Sequence, residues 1–316
     1  MSETVSVSPE TKIKKDPRRG LWLRLIPFFL SASLFLSGFF AVFAPLPLVT
    51  LGLTQGFLWV FAASIVNAVI VYFARGPELF QFYLFGVVSL GLLMPYFLRY
   101  RKWSLERTTA GIWIAQILAI VLVFAFYAHL HGVSPLQEMK SVATGYFDAF
   151  MKTLTPEART TVLGELSLEE WTRQMMIELP STFATLALTG IWINLYLAVS
   201  LNPGRVLSQR GMDRKAFQRW KTADWLVWPT IAIWAVMLLT EGTVSDAALG
   251  VFKVLMTVYA IQGLAILGAV FDAWRIVGFF RLFILMMILF VMLPLLLGIG
   301  FFDQWFDFRS KIRQSS

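Results

Sequence analysis

The sequence predicts an all-α, polytopic transmembrane bundle of about eight membrane segments, with amphipathic helices in one extramembrane segment. Three observations lead there. Of the 316 residues, 58% are hydrophobic and 15% charged, whereas ordinary soluble domains are roughly half apolar and a quarter charged. The apolar residues fall in long blocks rather than in a period of 2 or 3.6. An uninterrupted block of about 18 residues or more, at ~1.5 Å rise per residue, covers the hydrocarbon core of a bilayer. Finally, the charges are gathered in a few stretches between the blocks, as membrane loops require.

Residues 1–21 carry Lys12, Lys14, Lys15, Arg18 and Arg19 among polar neighbours and read as a basic, disordered tail. A single transmembrane domain is expected over 22–308, followed by a short tail at 309–316. Its first span covers about 22–43. Ser33, Ser37 and Ala41 recur there at four-residue spacing, which would lay a flat stripe of small residues along one helix face for close packing. The stretch 46–73 opens with Pro45-Leu46-Pro47 and is interrupted at Gly52-Leu53-Thr54-Gln55-Gly56, so it reads as a broken or re-entrant element. Further spans are expected at about 80–98, 108–128, 181–201, 225–240, 248–271 and 276–300.

Between 130 and 180 lies the one sizeable polar insertion. Ser134-Pro135-Leu136-Gln137 is a capping box with proline at the first helical position. Leu136, Met139, Val142, Ala143, Tyr146, Phe147, Phe150 and Met151 then follow at helical spacing, an amphipathic pattern. Ser167-Leu168-Glu169-Glu170 is a second capping box, expected to open a short helix ending before Pro180.

Loop charges set the orientation. Residues 99–107 sum to +3 and 203–221 to +5, against −3 for 130–180 and −2 for 241–246. The positive-inside rule places the tail and the two basic loops in the cytoplasm. The span count conflicts with this: three full crossings would separate the tail from 99–107. Parity is restored if 46–73 dips in and returns. The same count then leaves Arg309, Lys311 and Arg313 outside, against the rule.

The chemistry of the chain excludes several classes. With no cysteine there is no disulfide framework or thiolate metal site. His129 and His131 stand at i, i+2 and point to different sides of a helix, a poor metal pair. No H-E-x-x-H, G-x-S-x-G or P-loop pattern occurs. The expectation is therefore no catalytic set, no metal, no cofactor and no nucleic-acid partner. Polar groups inside apolar spans are costly in lipid and turn toward the bundle interior. Lys253, Tyr259 and Gln262 on one span, with Asn67 and Asn194 on others, are the candidate ligand-binding residues. The plainer readings are snorkelling for Lys253 and interhelical hydrogen bonding for Asn67, Asn194 and Gln116. Asp303 and Asp307 are i, i+4, as are Trp305 and Arg309; the two carboxylates on one face suggest a cation site, and the plainer reading is an interfacial anchor with a capped end. Trp220, Trp225, Trp228, Trp274 and Trp305 flank spans as belt residues do.

Several short motifs carry a resemblance. Pro45-Leu46-Pro47-Leu48-Val49, Asn194-Leu195-Tyr196 before a basic loop, Trp225-Leu226-Val227-Trp228-Pro229, Gln262-Gly263-Leu264-Ala265 and the ending from Phe302 to Arg309 together resemble the YybS-like family of bacterial membrane proteins. That family looks related to the substrate-binding S components of energy-coupling-factor transporters. The resemblance implies a multi-pass protein of the bacterial cytoplasmic membrane that binds or transports an unidentified small molecule with separate membrane or ATPase partner subunits. Ser33, Ser37 and Ala41 resemble the small-residue face that docks the coupling subunit. The 130–180 segment is larger than the family pattern, and Lys253 stands where a polar amide is more typical. The alternative is a structural or assembly protein that organises a membrane complex.

Overall fold

The computed structural model describes residues 25–101, 103–164, 167–201 and 212–314. The basic tail up to residue 24 and residues 203–211 of the basic loop lie outside the described residues. Among the described residues the elements are all helical. Five helices among the described residues are long and apolar enough to cross a membrane: Phe57–Pro77 (α3), Leu79–Tyr100 (α4), Leu105–His131 (α5), Glu170–Leu201 (within α8, Leu168–Leu201) and Thr243–Ala273 (α11). Within these, the most apolar stretches are only 17–44% buried inside the fold. Most of their apolar surface therefore faces outward, as lipid-exposed helices do.

The remaining apolar helices are short. The expected first span, 22–43, is broken. Helix α1, Pro27–Leu36, stops where Ser37 turns its hydroxyl back to the Leu34 carbonyl and accepts from the Phe40 amide, and Gly38 takes φ 70°. A 3-10 turn, Ala41–Phe43, leads into α2, Pro45–Thr54. The interruption expected at 52–56 is present: α2 ends at Thr54, and Gly56 adopts φ 106°. The half-length piece is thus 27–54, because the break near Leu36 falls inside an unbroken apolar run. Residues 57–77 form a full-length helix of their own.

Contacts fix the directions. Helix α1 runs alongside α3, with Phe28 on Trp59 and the Asn67 side chain bonded to Pro27 and Ala32. The kink at Gly76-Pro77 folds α4 back on α3, bringing Tyr72 against Phe80. Helix α2 runs parallel to α4: Gly91 faces Leu48, and Gly52 faces Pro95 four residues further along each. So α1 and α2 form a pair that comes back to the end of the bundle where it starts. Each has ten residues, ~15 Å of helix, half of a ~30 Å hydrocarbon core.

Helix α5 is capped by Ser104 and ends on left-handed Gly132. The Ser134 capping box opens α6, Pro135–Thr153, and α7, Pro156–Leu163, follows. The second box forms at Ser167 and Glu170. Its helix does not stop before Pro180 but runs on as α8 to Leu201, with Pro180 inside it. Trp171 stacks on Phe147, tying the start of α8 to the amphipathic α6. After α9, Arg214–Arg219, a 3-10 turn at Asp224–Leu226 leads into α10, Val227–Leu239, which lies against α11.

The expected last span, 276–300, is also two pieces: α12, Gly278–Val291, and α13, Leu293–Phe306, joined at Met292 with proline in the first turn of α13. Arg281 at the start of α12 bonds Asp272 at 2.6 Å. After α13 the chain turns at left-handed Asp307 into α14, Phe308–Gln314. Arg309 then reaches the Gln218 carbonyl, and the Gln218 side chain bonds the same Asp272. The second pair too begins and finishes at one end of the bundle.

Candidate functional site

Of the expected ligand-binding residues, Tyr259 and Gln262 share α11 and are fully buried. Lipid removes most of the drive for apolar burial between helices, so packing and hydrogen bonds hold the contact. Helix α13 crosses α11 where both backbones are bare. A Cβ on Gly300 would sit 1.9 Å from the Tyr259 carbonyl oxygen, and one on Gly263 would sit 2.3 Å from that of Leu296. Phe301 packs edge-on to the Tyr259 ring.

Beside this crossing lies a buried polar junction. Gln262 donates to an Asp303 carboxylate oxygen at 2.9 Å and accepts from the Thr222 amide at 2.9 Å and the Gln304 side chain at 3.2 Å. Arg309 donates to the same Asp303 oxygen at 2.7 Å and to the Trp220 carbonyl at 2.7 Å. The other Asp303 oxygen accepts from the Phe308 amide, capping the turn at Asp307. Asp303 is wholly buried and Arg309 is 6% exposed. Sequence spacing paired Asp303 with Asp307 on a continuous helix. The left-handed residue at 307 ends that helix and swings Arg309 back over Asp303, which helical periodicity does not anticipate.

Asn67 and Asn194 lie elsewhere. Asn67 accepts from the Ala32 amide and donates to the Pro27 and Ala63 carbonyls, joining α1 to α3. Ser31 meets Tyr83 and the Ala44 carbonyl, each at 2.7 Å, closing α1 onto α4 and the 3-10 turn. Asn194 on α8 donates to the Val42 carbonyl at 2.7 Å, and its Oδ1 is buried without a partner. Gln116 and Ser89 both bond the Phe85 carbonyl, inside a π-helical turn at Tyr83–Val88. Ser33, Ser37 and Ala41 do not share one helix face, since α1 ends before Ser37; the buried side of α1 is Ser31 and Ala32.

Lys253 lines a half-open pocket of about 290 Å³ between the first halves of α8 and α11. Its ammonium pairs with Glu178 at 3.1 Å, both groups partly exposed. Asp246, Ser181 and Gln174 complete the polar lining. Gly250 faces Ser181 across the two helices, where a Cβ would lie 3.3 Å from that of Ser181. Glu178, Ser181 and Asp246 were not singled out from the sequence. Their signal was a helix running on through Pro180, which brings residues 174–181 level with the start of α11. Lys253 is thus at one end of the bundle, whereas Gln262 is about two and a half turns further along α11, ~13 Å by helical rise. The structure brings Tyr259 and Gln262 together and holds Lys253, Asn67 and Asn194 apart from them.

Residues 23–304 match the family described as Predicted membrane protein (DUF2232), so the chain belongs to that family. No curated protein and no solved structure matches the chain.

Proposed function

We propose that this multi-pass membrane protein is a small-molecule binding or transport component of a bacterial cytoplasmic membrane, working with separate partner subunits. The observation that carries the reading is a pair of helix hairpins too short to span, one near each end of the chain: α1–α2 with ten residues per helix, ~15 Å, and α12–α13 with 14, ~21 Å, against a ~30 Å core. Transport proteins use such short, Gly- or Pro-interrupted segments to build substrate sites near the bilayer midplane. The Lys253 pocket adds a cation, two carboxylates and an amide in a space of metabolite size. The sequence has no P-loop, so transport driven by ATP hydrolysis would draw on a partner ATPase.

The test is retention. Protein extracted directly into lipid nanodiscs is stripped and its small molecules are identified by mass spectrometry. The expected result is a retained metabolite that Lys253→Ala and Gln174→Ala, both on the pocket wall, together release. Finding nothing retained, with uptake by cells unchanged by the double variant, overturns the reading. One observation favours the second reading, a structural or assembly protein: Asn67, Asn194, Gln116 and Gln262 all bond across elements. Cross-linking that captures one defined protein complex, together with an absence of any retained metabolite, would decide for it.

A further inference from the structure

The two half-length pairs settle which parts of the chain share an end of the bundle. The end where α1 begins also holds the α2–α3 turn. It holds residues 101–104 too, because Gly52 and Pro95 are level near the ends of α2 and α4. Leu98 and Leu105 cluster with Val199, Met212 and Phe217, which adds the loop after α8. Gln218, Asp272, Arg281 and Arg309 meet there as well, so both ends of the C-terminal pair belong to it.

The charges divide along the same line. Segments that connect at this end, with the chain flanking both half-length pairs, carry 21 of the 27 Lys and Arg and nine of the 19 Asp and Glu, a net +12. The opposite end carries the other six basic and ten acidic residues, a net −4. The tips of the pairs are apolar and outward-facing: Phe39, Phe40 and Val42 in the first, Met292, Leu293 and Leu295 in the second. Such tips suit hydrocarbon, not water.

From these observations we infer that both half-length pairs dip into the bilayer from a single basic face, and that this face binds the anionic headgroups of the cytoplasmic leaflet. The chain then crosses six times, through the five long helices and the shorter Asp224–Leu239, with both flanking segments on the cytoplasmic side. Both parity conflicts in the loop charges disappear. The recognising chemistry is cation to phosphate, supplied by exposed Lys215 and by Arg219 and Lys221, whose solvent-exposed pairs with Asp213 and Asp224 exchange readily for phosphate.

The chain contains no cysteine, so single cysteines report without background. In intact cells, Gln55→Cys and Phe39→Cys are expected to resist a membrane-impermeant maleimide, while Ser141→Cys reacts. In inverted vesicles Gln55→Cys is expected to react and Ser141→Cys to be protected. Labelling of Gln55→Cys from outside overturns the inference. For the headgroups, melting is compared in nanodiscs of phosphatidylcholine with and without phosphatidylglycerol. Phosphatidylglycerol is expected to raise the melting temperature, and Lys215→Gln, Arg219→Gln and Lys221→Gln combined to remove most of that rise, with roughly fivefold weaker headgroup binding per basic group lost. Inorganic phosphate at matched concentration should not reproduce it. Equal melting in both lipids, or an equal rise with free phosphate, overturns the lipid assignment.

Discussion

The two half-length pairs solve one problem with different chemistry. The α1–α2 pair is held by neutral groups: Asn67 across α1 and α3, and Ser31 between Tyr83 and Ala44. The α12–α13 pair is held by charge and by bare backbone: the buried Asp303–Arg309 pair and the Gly263–Gly300 crossing. A neutral pin loses a hydrogen bond when cut. A charged pin strands an ion in a medium that cannot solvate it. The C-terminal pair should therefore fail abruptly and the N-terminal pair by degrees.

The largest expected effect comes from removing one charge. Arg309→Met leaves Asp303 buried and uncompensated and should destabilise the protein by about 3–5 kcal/mol in a detergent or nanodisc melt. Adding Asp303→Asn, which removes the charge and keeps an acceptor for Gln262 or the Phe308 amide, should recover much of the loss; failure to recover would mean that the arginine acts through the loop carbonyls alone. Next is Gly300→Val, whose Cβ meets the Tyr259 carbonyl. Forcing the helices apart should cost about 1–3 kcal/mol or more. An unaltered melting temperature would sink the close-contact account.

Asn67→Leu should cost about 1 kcal/mol, in line with interhelical hydrogen bonds in membranes. A loss as large as that of Arg309→Met would erase the contrast between the pairs. Smallest is Lys253→Ala, whose partly exposed pair with Glu178 contributes under about 1 kcal/mol. Its melt should hardly move while ligand retention falls.

Much of this fold was legible in the sequence. Helices α5 and α11 follow from uninterrupted apolar blocks, and the break at Gly52–Gly56 and both capping boxes from residue type. What was not legible were breaks with weak local signals. Ser37-Gly38 and Met292 lie inside apolar runs, where hydropathy cannot tell one long helix from two short ones. Pro180 signalled a stop, yet the helix continues through it. The pocket depended on that continuation, and the Asp303–Arg309 pair on a left-handed residue at 307. Interior polarity correctly marked Asn67, Asn194, Gln116 and Gln262 as buried, but not which backbone groups they serve.

The central claim is that the last two helices return to the face they leave. A fluorescent protein that matures only in the cytoplasm, fused after residue 316, tests it most directly in a bacterial host. The account requires fluorescence equal to that of an N-terminal fusion at matched expression. A full-length C-terminal fusion that stays dark while the N-terminal one glows would contradict it.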